Sequence, residues 1–78
     1  MSEDNHQGFR IVFINQEPTE LYKILKFENM VESGGEAKMV ISQGLVRVNG
    51  EVETRKRRKI VAGDEIEYEK ERIKIQRE

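Results

Sequence analysis

The chain has 78 residues, 14 of them Lys or Arg and 15 Asp or Glu, for a net charge of -1, and it contains no cysteine. This length fits one small domain whose stability comes from packing, with disulfides and thiolate metal sites excluded. No apolar run approaches the roughly 20 residues of a membrane span or the shorter core of a signal peptide, so a cytoplasmic domain is expected.

Met1 to Gly8 is polar and aperiodic and carries the only histidine, His6. It reads as a flexible tail ahead of a domain over residues 9–78. In FRIVFIN, Phe9, Ile11 and Phe13 alternate with Arg10 and Val12, the period of two expected of a half-buried strand. Pro18, within Gln16 to Thr19, ends it. TELYKILKFEN then places Leu21, Ile24 and Leu25, with Phe27 at the margin, on one helical stripe, leaving Glu20, Lys23 and Lys26 in water. Asn29 suits a left-handed cap, after which Met30 and Val31 return to the core.

In SGGEAKMVISQG, Ser33 and Glu36 have capping-box spacing: the serine oxygen accepts an orphan amide, and the glutamate is expected to accept from the serine N–H. Ala37, Val40 and Ile41 form the buried side of this second helix, and Gly44 closes it. LVRVNGEV follows, with Val46 and Val48 inward, Arg47 outward and Asn49-Gly50 as a type I′ turn that returns Val52 alongside. The segment AGDEIEYEKERIKIQ reads as a second hairpin, with Ile66 and Tyr68 facing Ile73 and Ile75. A turn at Lys70-Glu71 pairs Glu69 with Arg72 and Glu67 with Lys74.

Arg55 to Lys59 is a run of five basic residues with only Glu51 and Glu53 nearby, so the near-zero net charge hides a local positive patch. Taken alone, such a run is most often a solvated loop. In an extended segment alternate side chains face opposite ways, which selects either Arg55, Arg57 and Lys59 or Lys56 and Arg58 for one ligand. The alternation leaves that choice open.

Helix, tight connection, capped helix and hairpin together resemble the alpha-L RNA-binding domain of the ribosomal S-four protein, pseudouridine synthases and bacterial tyrosyl-tRNA synthetases. The carriers are Ser33, Ala37, Gly44, Val46, Val48, Asn49, Gly50, Val52, Gly63, Asp64 and Ile66, within a likeness that runs from about Thr19 to Tyr68. SGGEAK followed by VNGEVETRKRRKI is similar to the small stand-alone bacterial YbcJ/YaaA-like branch. Gly34 stands where larger relatives often carry an arginine, and Lys56-Arg57 where a Pro-Ser pair is common. The resemblance implies an α+β fold, with two short helices packed on a small sheet of hairpins and an added N-terminal strand.

It also implies a non-catalytic, monomeric protein that binds structured RNA, rRNA or tRNA-like, with ribosomal or RNA-modifying proteins as further partners and no membrane partner. The implied contacts are Gly34, Gly35, Lys38 and Arg47 together with Arg55, Lys56, Arg57, Arg58 and Lys59. Bare amides and the dipole at the start of the second helix favour an anion, and Lys38 supplies countercharge. Read from the residues alone, Gly34 and Gly35 serve equally to relieve crowding between the helices.

Arginine forks hold phosphates and stack on unpaired bases. Tyr22, Tyr68, Phe9, Phe13 and Phe27 fall within apolar patterns and are expected in the core. With no cysteine, no histidine outside the tail, no phosphate-binding loop and no base to activate Ser33 or Ser42, neither catalytic residues nor a metal or cofactor is expected. The runner-up is an adaptor whose basic loop docks an acidic protein surface.

Overall fold

A computed structural model describes residues 9–78; the expected tail, Met1 to Gly8 with His6, lies outside them. In chain order the elements are β1 (Arg10–Ile14), β2 (Thr19–Glu20), α1 (Leu21–Phe27), α2 (Gly34–Ser42), β3 (Val46–Val48), β4 (Glu51–Val52), β5 (Lys59–Ile60), β6 (Glu65–Tyr68) and β7 (Glu71–Arg77). Five strands form a mixed sheet in the order β1-β7-β6-β3-β4, and β2 pairs with β5 in a separate two-stranded ribbon. The N-terminal strand is the added one, lying parallel to the last strand with Val12 beside Ile75. The α+β architecture is therefore the expected one.

Both helices cover one face of the sheet. Leu21, Ile24 and Leu25 of α1 and Ala37, Val40 and Ile41 of α2 share one apolar cluster with Val12, Ile14, Val46, Val48, Ile66, Tyr68, Ile73 and Ile75. Met30 and Val31 join it from the interhelical connection and Ile60 from β5. At 25 to 30 cal/mol per Å2 of apolar area removed from water, each buried Val, Leu, Ile or Met side chain of this cluster contributes about 1.5–3 kcal/mol.

Each helix ends in the same way. Leu45 N–H donates to Val40 and Gly44 N–H to Ile41 behind α2, while Met30 N–H donates to Leu25 and Asn29 N–H to Lys26 behind α1. These paired bonds are Schellman closures, which need a left-handed residue: Gly44 has φ 79° and Asn29 has φ 59°. At the start of α2, Ser33 Oγ accepts from Glu36 N–H at 3.1 Å as expected. The reciprocal half of the box differs, since Glu36 Oε1 accepts from the amide of Glu32 at 2.8 Å rather than from that of Ser33.

Four further expectations are corrected. In β1 the buried residues are Val12 and Ile14, whereas Ile11 is 44% and Phe13 60% exposed. Alternation was right and its phase was wrong, because both sets are apolar and only the position of the helices decides which face is covered. Phe27, at the last position of α1, is likewise 65% exposed.

In the second hairpin the turn is Glu69-Lys70, with Glu69 at φ 54°, and the cross-strand neighbours are Glu67 with Arg72 and Glu65 with Lys74. Both registers keep the isoleucines on the helix-covered face, so hydrophobic pattern could not separate them. The Asn49-Gly50 turn is as expected, with both residues at positive φ. Finally, Glu20 belongs to β2 rather than to the wet face of α1 and lies opposite Lys59 of β5.

Candidate nucleic-acid interface

The basic run is anchored to the first helix. Leu21 N–H donates to Arg58 O at 2.9 Å and Tyr22 N–H to Lys56 O at 3.1 Å, so loop carbonyls satisfy the orphan amides at the start of α1. Residues 55–58 form a turn closed by Arg58 N–H to Arg55 O at 3.1 Å, and only Lys59 and Ile60 are extended. Strand alternation, from which the two candidate contact sets were drawn, therefore does not run through the segment.

A buried carboxylate organises that turn, and the sequence reading missed it. Glu53 is 6% exposed, the one buried charged residue among those described. Its Oε2 accepts from Arg55 N–H at 2.8 Å and Arg55 Nε at 3.0 Å. Its Oε1 accepts from Arg55 Nη2 at 3.0 Å and Arg58 Nη1 at 2.9 Å. The Arg55 side-chain bonds, followed by those from Arg58 and the Arg55 amide, outweigh desolvation and lower the carboxyl to about 2. The signal available in sequence was the spacing of Glu53 two and five residues before arginines.

Lys56, Arg57 and Lys59 have no carboxylate partner among the described residues, and all three are exposed. Arg55, Arg57, Arg58 and Lys59 line a shallow recess on the loop. Lys59 also lines a longer groove along α1 that includes Tyr22, Lys26 and Gly34, with Lys23 paired to Glu20 and with Glu28 and Glu78 on the same lining. The loop and the start of α2 thus border one continuous surface.

Tyr22 joins the two. It is half-buried against the core, as expected for its pattern, and Lys38 Nζ sits 4.7 Å from its ring centroid. Tyr68 is buried, and burial raises its phenol.

At the start of α2, Ser33 Oγ takes the amide of Glu36 and Ser33 O that of Ala37. No protein acceptor is found for the amides of Gly34 and Gly35 among the described residues. A Cβ at Gly34 would come no closer than 3.9 Å to the Lys26 side chain, and one at Gly35 no closer than 3.8 Å to Ser33 Oγ. Those are ordinary contact distances, so relief of crowding between the helices does not account for the glycine pair. Glu36 places one carboxylate nearby, held on the Glu32 amide.

Arg47 is not part of this surface. It points away from the helices on the open face of the sheet, where Glu67 and Val52 lie beside it and Gly50 O accepts from its Nη1 at 3.2 Å. Among the described residues no group of three or more His, Cys, Asp or Glu is placed to hold a metal, and no helix is long and apolar enough to cross a membrane.

Known proteins share both the sequence and the fold. YbcJ of Escherichia coli (strain K12) is 53% identical over 49 residues, which is 63% of this chain and 70% of that protein. The Bacillus subtilis (strain 168) protein named "Probable ribosome maturation protein RlbA" is 38% identical over 58 residues, 74% of this chain and 82% of its own length. The solution structure of YbcJ from E. coli, described as revealing an alpha-L motif involved in RNA binding, superposes with a TM-score of 0.70 at 35% identity, covering 97% of this chain and 98% of that one. With residues 12–76, which span both helices and the hairpins described above, matching the S4 domain, this chain belongs to the S4 domain family.

Proposed function

We propose that this protein is a non-catalytic RNA-binding protein that recognises folded RNA, rRNA or tRNA-like, through the basic loop and the start of α2. The observation that carries this reading is the set of exposed cations without a carboxylate partner among the described residues, Lys56, Arg57 and Lys59 on the loop and Lys26 on α1, with Lys59 and Lys26 lining the groove that reaches Gly34. Exposed cations on a hydrogen-bonded turn suit phosphates that a folded RNA backbone brings together, and need no base sequence. The amides of Gly34 and Gly35, without a protein acceptor among the described residues, add an anion position near the Lys26 side chain. The name of the B. subtilis relative makes ribosomal RNA the first ligand to test.

Titration of purified ribosomal RNA and of bulk tRNA across a salt series tests the reading. Neutralising about three to five phosphates gives a slope of log affinity against log salt of roughly -2 to -5, at about 0.7 to 0.9 per contact. A flat response would argue against the basic loop as the main contact, and binding only to an acidic protein after RNase treatment would instead support the adaptor role.

A further inference from the structure

We propose that Glu53 is a positioning residue that divides the basic run in two, holding Arg55 and Arg58 as struts and presenting Lys56, Arg57 and Lys59 to RNA. The inference rests on the RNA-binding reading and extends it to which side chains make contact. Arg55 gives its amide, Nε and Nη2 to one carboxylate, and Arg58 gives Nη1 to the same group. Both guanidiniums thus meet the one carboxylate that the described structure buries.

Their backbones complete the device. Arg58 N–H closes the turn onto Arg55 O, while the carbonyls of Arg58 and Lys56 cap the first amides of α1. The turn is consequently tied at both ends, to Glu53 on one side and to a helix packed in the core on the other. Lys56 and Arg57, at its corner, are left pointing into solvent, with Lys59 next in the strand. A loop fixed in this way gives up little conformational freedom on binding, which favours affinity without an added contact.

Electrostatics and positioning make opposite forecasts for Glu53→Gln. The substitution removes a negative charge beside the RNA and loosens two arginines, so a charge effect alone would tighten binding. Positioning instead requires that binding weaken, by about three- to ten-fold at fixed salt, because Lys56, Arg57 and Lys59 lose their arrangement.

The salt slopes supply an independent measure. Lys56→Gln, Arg57→Gln and Lys59→Gln should each reduce the slope by about 0.7 to 0.9, whereas Arg55→Gln and Arg58→Gln should leave it unchanged.

The titrations use the full chain with ribosomal RNA and bulk tRNA, at a temperature where circular dichroism shows each variant folded. Wild-type binding that is matched or exceeded by Glu53→Gln overturns the inference and leaves the RNA reading standing. Should Glu53→Gln not fold, the five single variants decide: equal loss of slope at all five positions overturns it, and loss confined to Lys56, Arg57 and Lys59 upholds it. If the wild type shows no salt-dependent binding to either RNA, the functional reading fails and this inference with it.

Discussion

Acid should loosen this domain through Glu53 in a way that one substitution can isolate. The carboxyl is lowered from 4.5 to about 2 in the folded protein, chiefly by hydrogen bonds from Arg55. A group depressed in this way binds fewer protons folded than unfolded. Its contribution is present above the unfolded value near 4.5, and is lost as pH falls from there through about 2.

At about 1.4 kcal/mol per pH unit, the full shift corresponds to about 3 kcal/mol. The carboxylate itself is nearly covered, but Arg55, its main partner, is 72% exposed and the pair lies at the surface of a small domain. Solvent screening of that partner reduces the contribution to about 1–2 kcal/mol. Glu53→Gln removes the titration while keeping the shape and one acceptor oxygen.

The assay is urea unfolding of wild type and Glu53→Gln between pH 7 and pH 2.5. The variant should be less stable by about 1–2 kcal/mol at pH 7. That gap should narrow steadily below pH 4.5. A gap that does not change with pH, or that opens in acid, would refute the assigned ionisation.

Three other outcomes follow from the geometry. Gly35→Glu places a side chain where a Cβ meets only Ser33 Oγ at 3.8 Å, and acid suits the first turn of a helix, so the unfolding free energy from urea titration should hold or rise by about 0.5–1 kcal/mol while RNA affinity falls. Val48→Asp puts a carboxylate at a position 2% exposed and paired with Ile66, a loss of more than about 4 kcal/mol that should abolish the cooperative thermal transition. Gly44→Ala forces a Cβ into φ 79° and to 3.5 Å from Val52 Cγ1, and the unfolding free energy should drop by about 1–2 kcal/mol with RNA binding retained in the folded fraction.

Local chemistry was legible in the sequence wherever one residue type answers one local need. Asn49-Gly50 had to turn in the I′ sense because both positions require positive φ, and Asn29 and Gly44 had to end helices for the same reason. Ser33 could be placed as a cap from Glu36 three residues on. The family likeness supplied the assembly of these pieces, and the positive patch at Arg55 to Lys59 was visible as charge.

The tertiary structure decided what depends on partners distant in the chain. Phe13 and Val12 are both apolar, and which of them is buried follows from the side of the sheet on which Leu21 and Ile41 pack. The register of β6 against β7 was set at Glu69, a residue with no turn preference of its own, because either register keeps Ile66 and Ile73 on the covered face. Glu53 shows the limit most clearly. In sequence it is one acid among fifteen. In the fold, β4 and the capping of α1 by Arg58 O close the chain around it, and burial turns an ordinary carboxylate into the group that orders the basic loop. Charge is a property of composition, whereas its presentation depends on which cations the fold has already bound.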